Sequence, residues 1–495
     1  MDQFDAENSG DKTFSLPLLR MRGDDDAKNL LINPGGPGGS GTQFIYRRGK
    51  DLSTIVGSGY HILGFDPRGV NGSVPVASCY PDKESRSQLS FMKSDYHPLE
   101  SSRDTYAWTT GFVRACAESL GEHGKYINTP QTAADMNSIL DAVGQDEMIY
   151  WGFSYGTVLG QAYAQLFPER SHRVMIDGVV DFATWFLELN NLQDSFTDTD
   201  KVMLGFFREC LEAGSNCPLS ALKAKSAEEL QSKVLDFAFK LEEPLSVYVN
   251  NSKWGSLKPE HIILNGIFPT LYKPEIWWTL AGRLAKLLQG NATDAYIAWG
   301  GKDPLMNPDD TDSNNVIMIN DALSGSQHWP QGRQDLLDMI LPYINSSIFA
   351  PTFLPEFYKQ QQWAIPRTHN LQPKKTVETV HPLLILSSTN DPITPMASAK
   401  LARSIFQGSQ IVERDGYGHC TIAMPSLCVA KHIRAFLGNG TVPTEQIKCA
   451  HEGSYFVKPN STTISKIRQF ESSEDEAIYQ AQLEMARDPS WPYTR

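Results

Sequence analysis

Two stretches of the chain share a rhythm. Up to about residue 181, and again from about 379, short apolar runs alternate with segments whose apolar positions recur three and four apart. LLIN (30–33) enters a glycine cluster, HILGF (61–65) enters DPRG, MIYWGF (148–153) stops at Ser154, and VMIDGVV (174–180) follows. The helical pattern covers 130–143, around Met136, Ile139, Leu140 and Val143, and then 156–166, ended by Pro168. In the second stretch HPLLILSS (381–388) and Gln410–Glu413 read as strands, and 396–406 and 422–437 as helices. Continuous short apolar strands separated by helices predict a mostly parallel central sheet with helices on both faces.

Between about 182 and 378 the rhythm breaks. Seven of the ten tryptophans fall there, among irregular Pro and Asn punctuation, so this part reads as a helical insertion. The expected organisation is a core in two pieces, 1–181 and 379–455, a helical cap or lid over 182–378, and a polar tail at 456–495 that packs peripherally. Aromatics in such an insertion serve core packing more often than binding, but a cap over the sheet would let them line a pocket.

Composition narrows the function. The 495 residues carry a net charge of −13 with no basic block, which argues against a nucleic-acid surface. No run of about 18 apolar residues occurs, so nothing is expected to span a membrane. The seven cysteines contain no C-x-x-C pair and leave at least one thiol over. Sequons stand at Asn71, Asn250, Asn291, Asn345, Asn439 and Asn460, a mild excess over chance. Cysteines and sequons together lean toward an oxidising, secretory compartment, although MDQFDAENSG lacks the apolar stretch of a secretion signal. An intracellular location is the alternative.

Three glycine-marked turns carry the chemistry. Gly152-Phe153-Ser154-Tyr155-Gly156 is a G-x-S-x-G between a predicted strand and a predicted helix, the setting that holds a nucleophilic serine exposed on a strained turn. Asn33-Pro34-Gly35-Gly36-Pro37-Gly38-Gly39-Ser40-Gly41 follows an early strand and can aim bare N–H groups at an oxyanion, with the N–H of Tyr155 as the second donor. Gly36, Gly38 and Gly41 formally match a dinucleotide fingerprint, but Pro37 sits inside the turn and no scheduled second strand ends in an acid. The third turn, Asp415-Gly416-Tyr417-Gly418-His419, supplies the last loop histidine in the order Ser, acid, His. Asp391, after the strand ending Ser388, is the expected acid, with Asp177 and Asp181 as fallbacks. The gap of 237 residues from Ser154 to Asp391 contains the insertion, and the gap of 28 to His419 is one helix–strand step.

NPGGPGGSG (33–41), GFDPRG (64–69), WGFSYGTVLG (151–160), STNDPITP (388–395), GYGHC (416–420) and SLCVAKHIRAFLGNGTVP followed by Cys449 together resemble the tripeptidyl-aminopeptidase-like branch of the proline-iminopeptidase α/β-hydrolases. The resemblance implies an α/β-hydrolase fold with a cap. It implies Ser154 as nucleophile, Asp391 as acid, His419 as base, Gly36 and Tyr155 as oxyanion donors, and no metal or organic cofactor. It implies an exopeptidase that releases residues or short peptides from peptide N-termini; an esterase or amidase on a small natural product is the alternative, and a non-catalytic binding protein of this fold the remote one. A peptide or small ester or amide is the expected partner, not nucleic acid. The family's paired cysteines carry over to Cys428–Cys449, and chain order adds Cys79–Cys116 and Cys210–Cys217, leaving Cys420 as a small buried residue. Glycosylation is expected at Asn250, Asn291, Asn345, Asn439 and Asn460, and not at Asn71 beside DPRG. The family's secretion signal and first segment would precede residue 1, so the start reads as late: either the gene start is misassigned or this variant is not exported.

Overall fold

The computed structural model describes residues 1–5, 12–89, 98–188, 194–300, 312–459 and 470–488, so the Asn460 sequon lies outside the described residues. Among the described residues ten strands form: β1 (Leu18–Met21), β2 (Lys28–Asn33), β3 (Tyr60–Phe65), β4 (Met148–Phe153), β5 (Ser171–Asp177), β6 (Leu245–Asn250), β7 (Lys253–Leu257), β8 (Leu384–Asn390), β9 (Gln410–Tyr417) and β10 (Ile447–Cys449). Eight make one sheet in the order β1-β3-β2-β4-β5-β8-β9-β10, while β6 and β7 pair apart from it. β1 runs antiparallel to β3, and the remaining pairings of the large sheet are parallel.

Every residue of β4 and all but the first of β2 are buried. Alternate residues feed two cores. Leu31, Leu63, Tyr150 and Ile176 enter one, closed by helices Thr129–Ala142, Tyr155–Leu166 and Met396–Ile405. Leu30, Ile32, Ile62, Trp151 and Met175 enter the other, closed by Gly41–Val56, Leu427–Asn439 and Ser473–Arg487. A strand buried on both faces has no polar side to alternate, which is why these strands read as unbroken apolar runs.

The α/β-hydrolase architecture expected from the sequence is present, with four local differences. β5 starts at Ser171 and ends at Asp177, because Gly178 (φ +69°) turns the chain out of the sheet. β9 continues past Glu413 to Tyr417, its polar half still paired with β8 through Glu413–Ser387 and Asn390–Tyr417. A 27-residue helix, Pro98–Gly124, breaks at Gly121 (φ +50°) and packs on Leu354–Gln362, where Tyr106 and Tyr358 meet edge to face. The tail contains the helix Ser473–Arg487, capped by Ser472, which buries Ile478, Tyr479 and Met485 beside Gly41–Val56. Its charged residues hid this apolar face.

The chain between β5 and β8 builds its own core around Phe206, Leu230, Trp277 and Leu280, joined by Tyr455 and Phe456 from beyond β10. It is not wholly helical: β6 and β7 form a hairpin, buried at Val247 and exposed at Tyr248. Nor is it wholly separate, since Val316, Ile317, Ile319 and Trp363 belong to the first core of the sheet. Disulfides join Cys79–Cys116, Cys210–Cys217 and Cys428–Cys449, and Cys420 remains a buried thiol. Among the described residues no helix is long and apolar enough to cross a membrane.

Candidate active site

The strand order reverses between β2 and β4. Loops leaving the carboxyl ends of strands at such a point diverge and open a crevice, where ligands of open α/β sheets bind. Asn33 pairs with Gly152, so the glycine loop and the Ser154 turn leave the sheet side by side. Farther along the same edge Asn390 pairs with Tyr417, which brings the loops carrying Asp391 and His419 together.

Ser154 has φ +55° and ψ −122°, a costly geometry for a residue with a Cβ. Its N–H donates to the Asp177 carbonyl at 2.9 Å. Across 151–160 it alone escapes full burial. The flanking glycines are steric requirements. A Cβ on Gly152 would lie 2.3 Å from the Gly156 carbonyl oxygen, and one on Gly156 would lie 2.8 Å from that of Asn33.

The glycine loop is folded back by its own first residue, since Asn33 Oδ1 accepts from the Gly35 N–H at 2.9 Å. It lies hard against the serine turn: a Cβ on Gly35 (φ +96°) would come 2.4 Å from the Phe153 carbonyl oxygen and 3.3 Å from the Tyr155 nitrogen. The Tyr155 amide heads the helix Tyr155–Leu166, the end of a helix that favours negative charge. Two glycines of the dinucleotide-like pattern serve packing. Gly41 seats its helix on Phe65, and Gly38 abuts Ser313.

Nδ1 of His419 lies 2.9 Å from both carboxylate oxygens of Asp391. Carboxylate oxygens only accept, so Nδ1 carries the proton and Nε2 is the basic nitrogen. Asp391 also accepts the N–H groups of Ile393 (3.0 Å), Thr394 (2.9 Å) and Cys420 (2.8 Å). Burial pushes its carboxyl up, but the His419 ring and these donors outweigh burial, and the group stays below its ordinary range. The His419 ring is fully buried, with Tyr272 edge-on at 5.0 Å and the Tyr272 carbonyl accepting the His419 N–H at 2.9 Å.

A family model described as alpha/beta hydrolase fold matches residues 28–332, and one described as TAP-like protein matches residues 346–449. The chain belongs to the α/β-hydrolase fold family, in its TAP-like branch. Among curated proteins this hydrolase is 28% identical to a serine protease, Hip1, of Mycobacterium tuberculosis, covering 88% of this chain and 83% of that one. It is 24% identical to tripeptidyl aminopeptidase of Streptomyces lividans, over 85% and 76% of the two chains. Carboxylesterase B of M. tuberculosis is 26% identical, over 85% and 79%.

The fallback acids of the hydrolase have other partners. Asp181 caps the helix Phe182–Trp185 by accepting from Ala183 and Thr184. Asp177 accepts the Thr421 N–H at 2.7 Å and its hydroxyl at 2.6 Å, while its carbonyl takes the Ser154 N–H and, at 3.2 Å, the Cys420 thiol. Asp177 therefore ties the serine turn to the histidine loop, and burial raises its carboxyl to about 6. The sequence offered that residue as an alternative acid and missed this part. It missed Tyr272 and Thr199 as well, whose hydroxyl donates to the Pro392 carbonyl at 2.6 Å, because contacts made across the insertion leave no local pattern. Buried Asp321 went unmarked too. It accepts from Thr129 N–H (2.8 Å), the Thr129 hydroxyl (2.5 Å) and Trp185 Nε1 (2.8 Å), and burial raises it to about 6.

Proposed function

We propose that this hydrolase is a serine peptidase working from the free N-terminus of peptides, with Ser154 as nucleophile, His419 as base and Asp391 as the acid that orients it. The observation that carries the reading is the pair of 2.9 Å contacts from His419 Nδ1 to Asp391, on loops at the sheet edge where the Ser154 turn emerges. Ser154 Oγ attacks the scissile carbonyl while His419 Nε2 takes its proton. The N–H groups of Gly36 and Tyr155 donate to the developing oxyanion, each such donor typically contributing about 10²–10³ in rate. His419 returns the proton to the leaving amine, and water then releases the acyl group by the same route. These steps use side chains, backbone and water alone.

Residues 182–378 act as the cap over core pieces 1–181 and 379–455, and the tail from 456 braces the core. Its tight packing on His419 through Tyr272 supports a cap that shields the reacting groups from water. Export to an oxidising compartment, with glycans, completes the reading. The three disulfides and the exposure of Asn250, Asn291, Asn345 and Asn439 support it. Asn71 is left out of this set, and the bond its amide nitrogen donates to Asp66 at 2.7 Å supports that choice.

The likeness to a carboxylesterase favours a second reading, hydrolysis of a small ester or amide. Turnover of tripeptide anilides with free and with acetylated N-termini separates the two. The peptidase reading expects a strong preference for the free amine; equal turnover of both would contradict it.

A further inference from the structure

The hairpin β6–β7 carries two large aromatic side chains on its outer face. Tyr248 and Trp254 pair directly across the strands, and they are 71% and 66% exposed. Partners in that position stand roughly 4.5–5.5 Å apart at Cβ, so the two side chains are neighbours on one exposed face. The inner face explains the hairpin's attachment: Val247 and Leu257 are buried in the insertion's core. Nothing in that packing calls for two aromatics facing water, where a single-sided sheet ordinarily places polar side chains.

The turn beside this pair is the Asn250-Asn251-Ser252 sequon. Asn250 is exposed, lies two residues after Tyr248, and falls on the outer side of a strand whose inner side is Val247 and Val249. Its Oδ1 accepts both the Ser252 N–H at 2.9 Å and the Ser252 hydroxyl at 2.8 Å. Both bonds fall on Oδ1 and polarise the amide.

We propose that Asn250 is a glycosylation site whose first sugar packs on the Tyr248–Trp254 surface, so that the hairpin is a built platform for its own glycan. This rests on the export part of the function proposed above and not on the peptidase part. In the transfer the Nδ2–C1 bond forms as the bond from sugar C1 to the diphosphate of a polyprenyl-linked donor breaks. The amide loses one proton, and the diphosphate leaves with the electron pair. An N-acetylhexosamine then lies within reach of Tyr248, and its axial C–H groups fit the flat, electron-rich face of an aromatic ring. The sugar covers apolar surface that the protein leaves uncovered.

The test is the full chain, secreted from a eukaryotic host behind a supplied leader, beside N250Q. Glycopeptide mass spectrometry reads occupancy, and hydroxyl-radical labelling reads the solvent access of single rings. Asn250 is expected to be occupied, with Tyr248 and Trp254 labelled at least about twofold more slowly than in N250Q. Tyr46, 85% exposed on the helix Gly41–Val56, is expected to label equally in both. Sugar at Asn291 or Asn439 with Asn250 bare would overturn the proposal while leaving export standing. A sugar on Asn250 that leaves both labelling rates unchanged would overturn it as well. Neither outcome bears on Ser154, whose role is read separately from activity.

Discussion

The proposed nucleophile and its proposed partners share one tie, Asp177, but otherwise lean on different parts of the molecule. The Ser154 turn is fixed by the sheet and the helix it enters. Its N–H bonds to the end of β5, the Tyr150 hydroxyl bonds to the Gly156 carbonyl at 2.8 Å, and Thr157 links the Ser154 carbonyl to the Val180 N–H. The Asp391 and His419 loops instead lean on the insertion. Thr199 holds the Pro392 carbonyl, the Tyr272 carbonyl holds the His419 N–H, and Gly205 leaves room for the Tyr417 ring, 2.4 Å from where its Cβ would stand. A serine on a strained turn must be rigid before substrate arrives. If Asp391 and His419 are the acid and base proposed above, their contacts with the insertion make its placement a condition of readiness for chemistry.

Four substitutions probe that comparison. Asp391→Asn keeps the loop but removes the charge that fixes the His419 tautomer. It is expected to lower kcat by about 10⁴-fold with the melting temperature little changed. Loss within tenfold would show that the acid is elsewhere. Gly35→Ala strikes the nucleophile's side, forcing the glycine loop off the serine turn. A loss of about 10²–10³ in kcat is expected, the contribution of one oxyanion donor, with KM less affected.

Thr199→Val tests the dependence on the insertion directly. It leaves the Pro392 carbonyl without its buried donor and is expected to reduce kcat/KM by about tenfold, a displacement well under 1 Å. If kcat/KM holds while only the melting temperature falls, the insertion stabilises these loops without positioning them.

The smallest effect is on pH-dependent stability. Burial raises the Asp321 carboxyl from 3.8 to about 6. The folded form therefore binds the proton more tightly, and this stabilisation is complete below about pH 3.8 and lost as pH rises to about 6. Asp321→Asn removes the titration. The melting temperature of the variant relative to the parent is expected to improve by roughly 2–4 °C between pH 4 and pH 7. A constant difference across that range would contradict the buried, proton-linked role.

The same division governs how much could be read from the sequence. β2, β4 and β8 were legible because strands buried on both faces are uninterrupted apolar runs, and the tight turns after β2 and β4 were legible because glycines at 35, 36, 152 and 156 answer local steric demands. Asp391 was singled out by its place after the strand before His419, and its carboxylate lies 2.9 Å from that ring. The role of Asp177 was not, since a carboxylate at the end of β5 looks the same whether it faces the histidine or Thr421. The hairpin β6–β7 was missed because LSVYVN is too short to separate period two from a helical turn. The helix Ser473–Arg487 was missed because its apolar face, Ile478 and Met485 among them, is diluted by charge. Thr199 and Tyr272 reach the site only through tertiary contacts.

The central claim is that Ser154 is an activated nucleophile. Its most direct test is the intact mass of the folded protein after exposure to a fluorophosphonate, in parent and Ser154→Ala chains. The account predicts one adduct in the parent, carried by the peptide containing Ser154, and none in the variant. An unlabelled parent, or an adduct that persists in the variant, would contradict it.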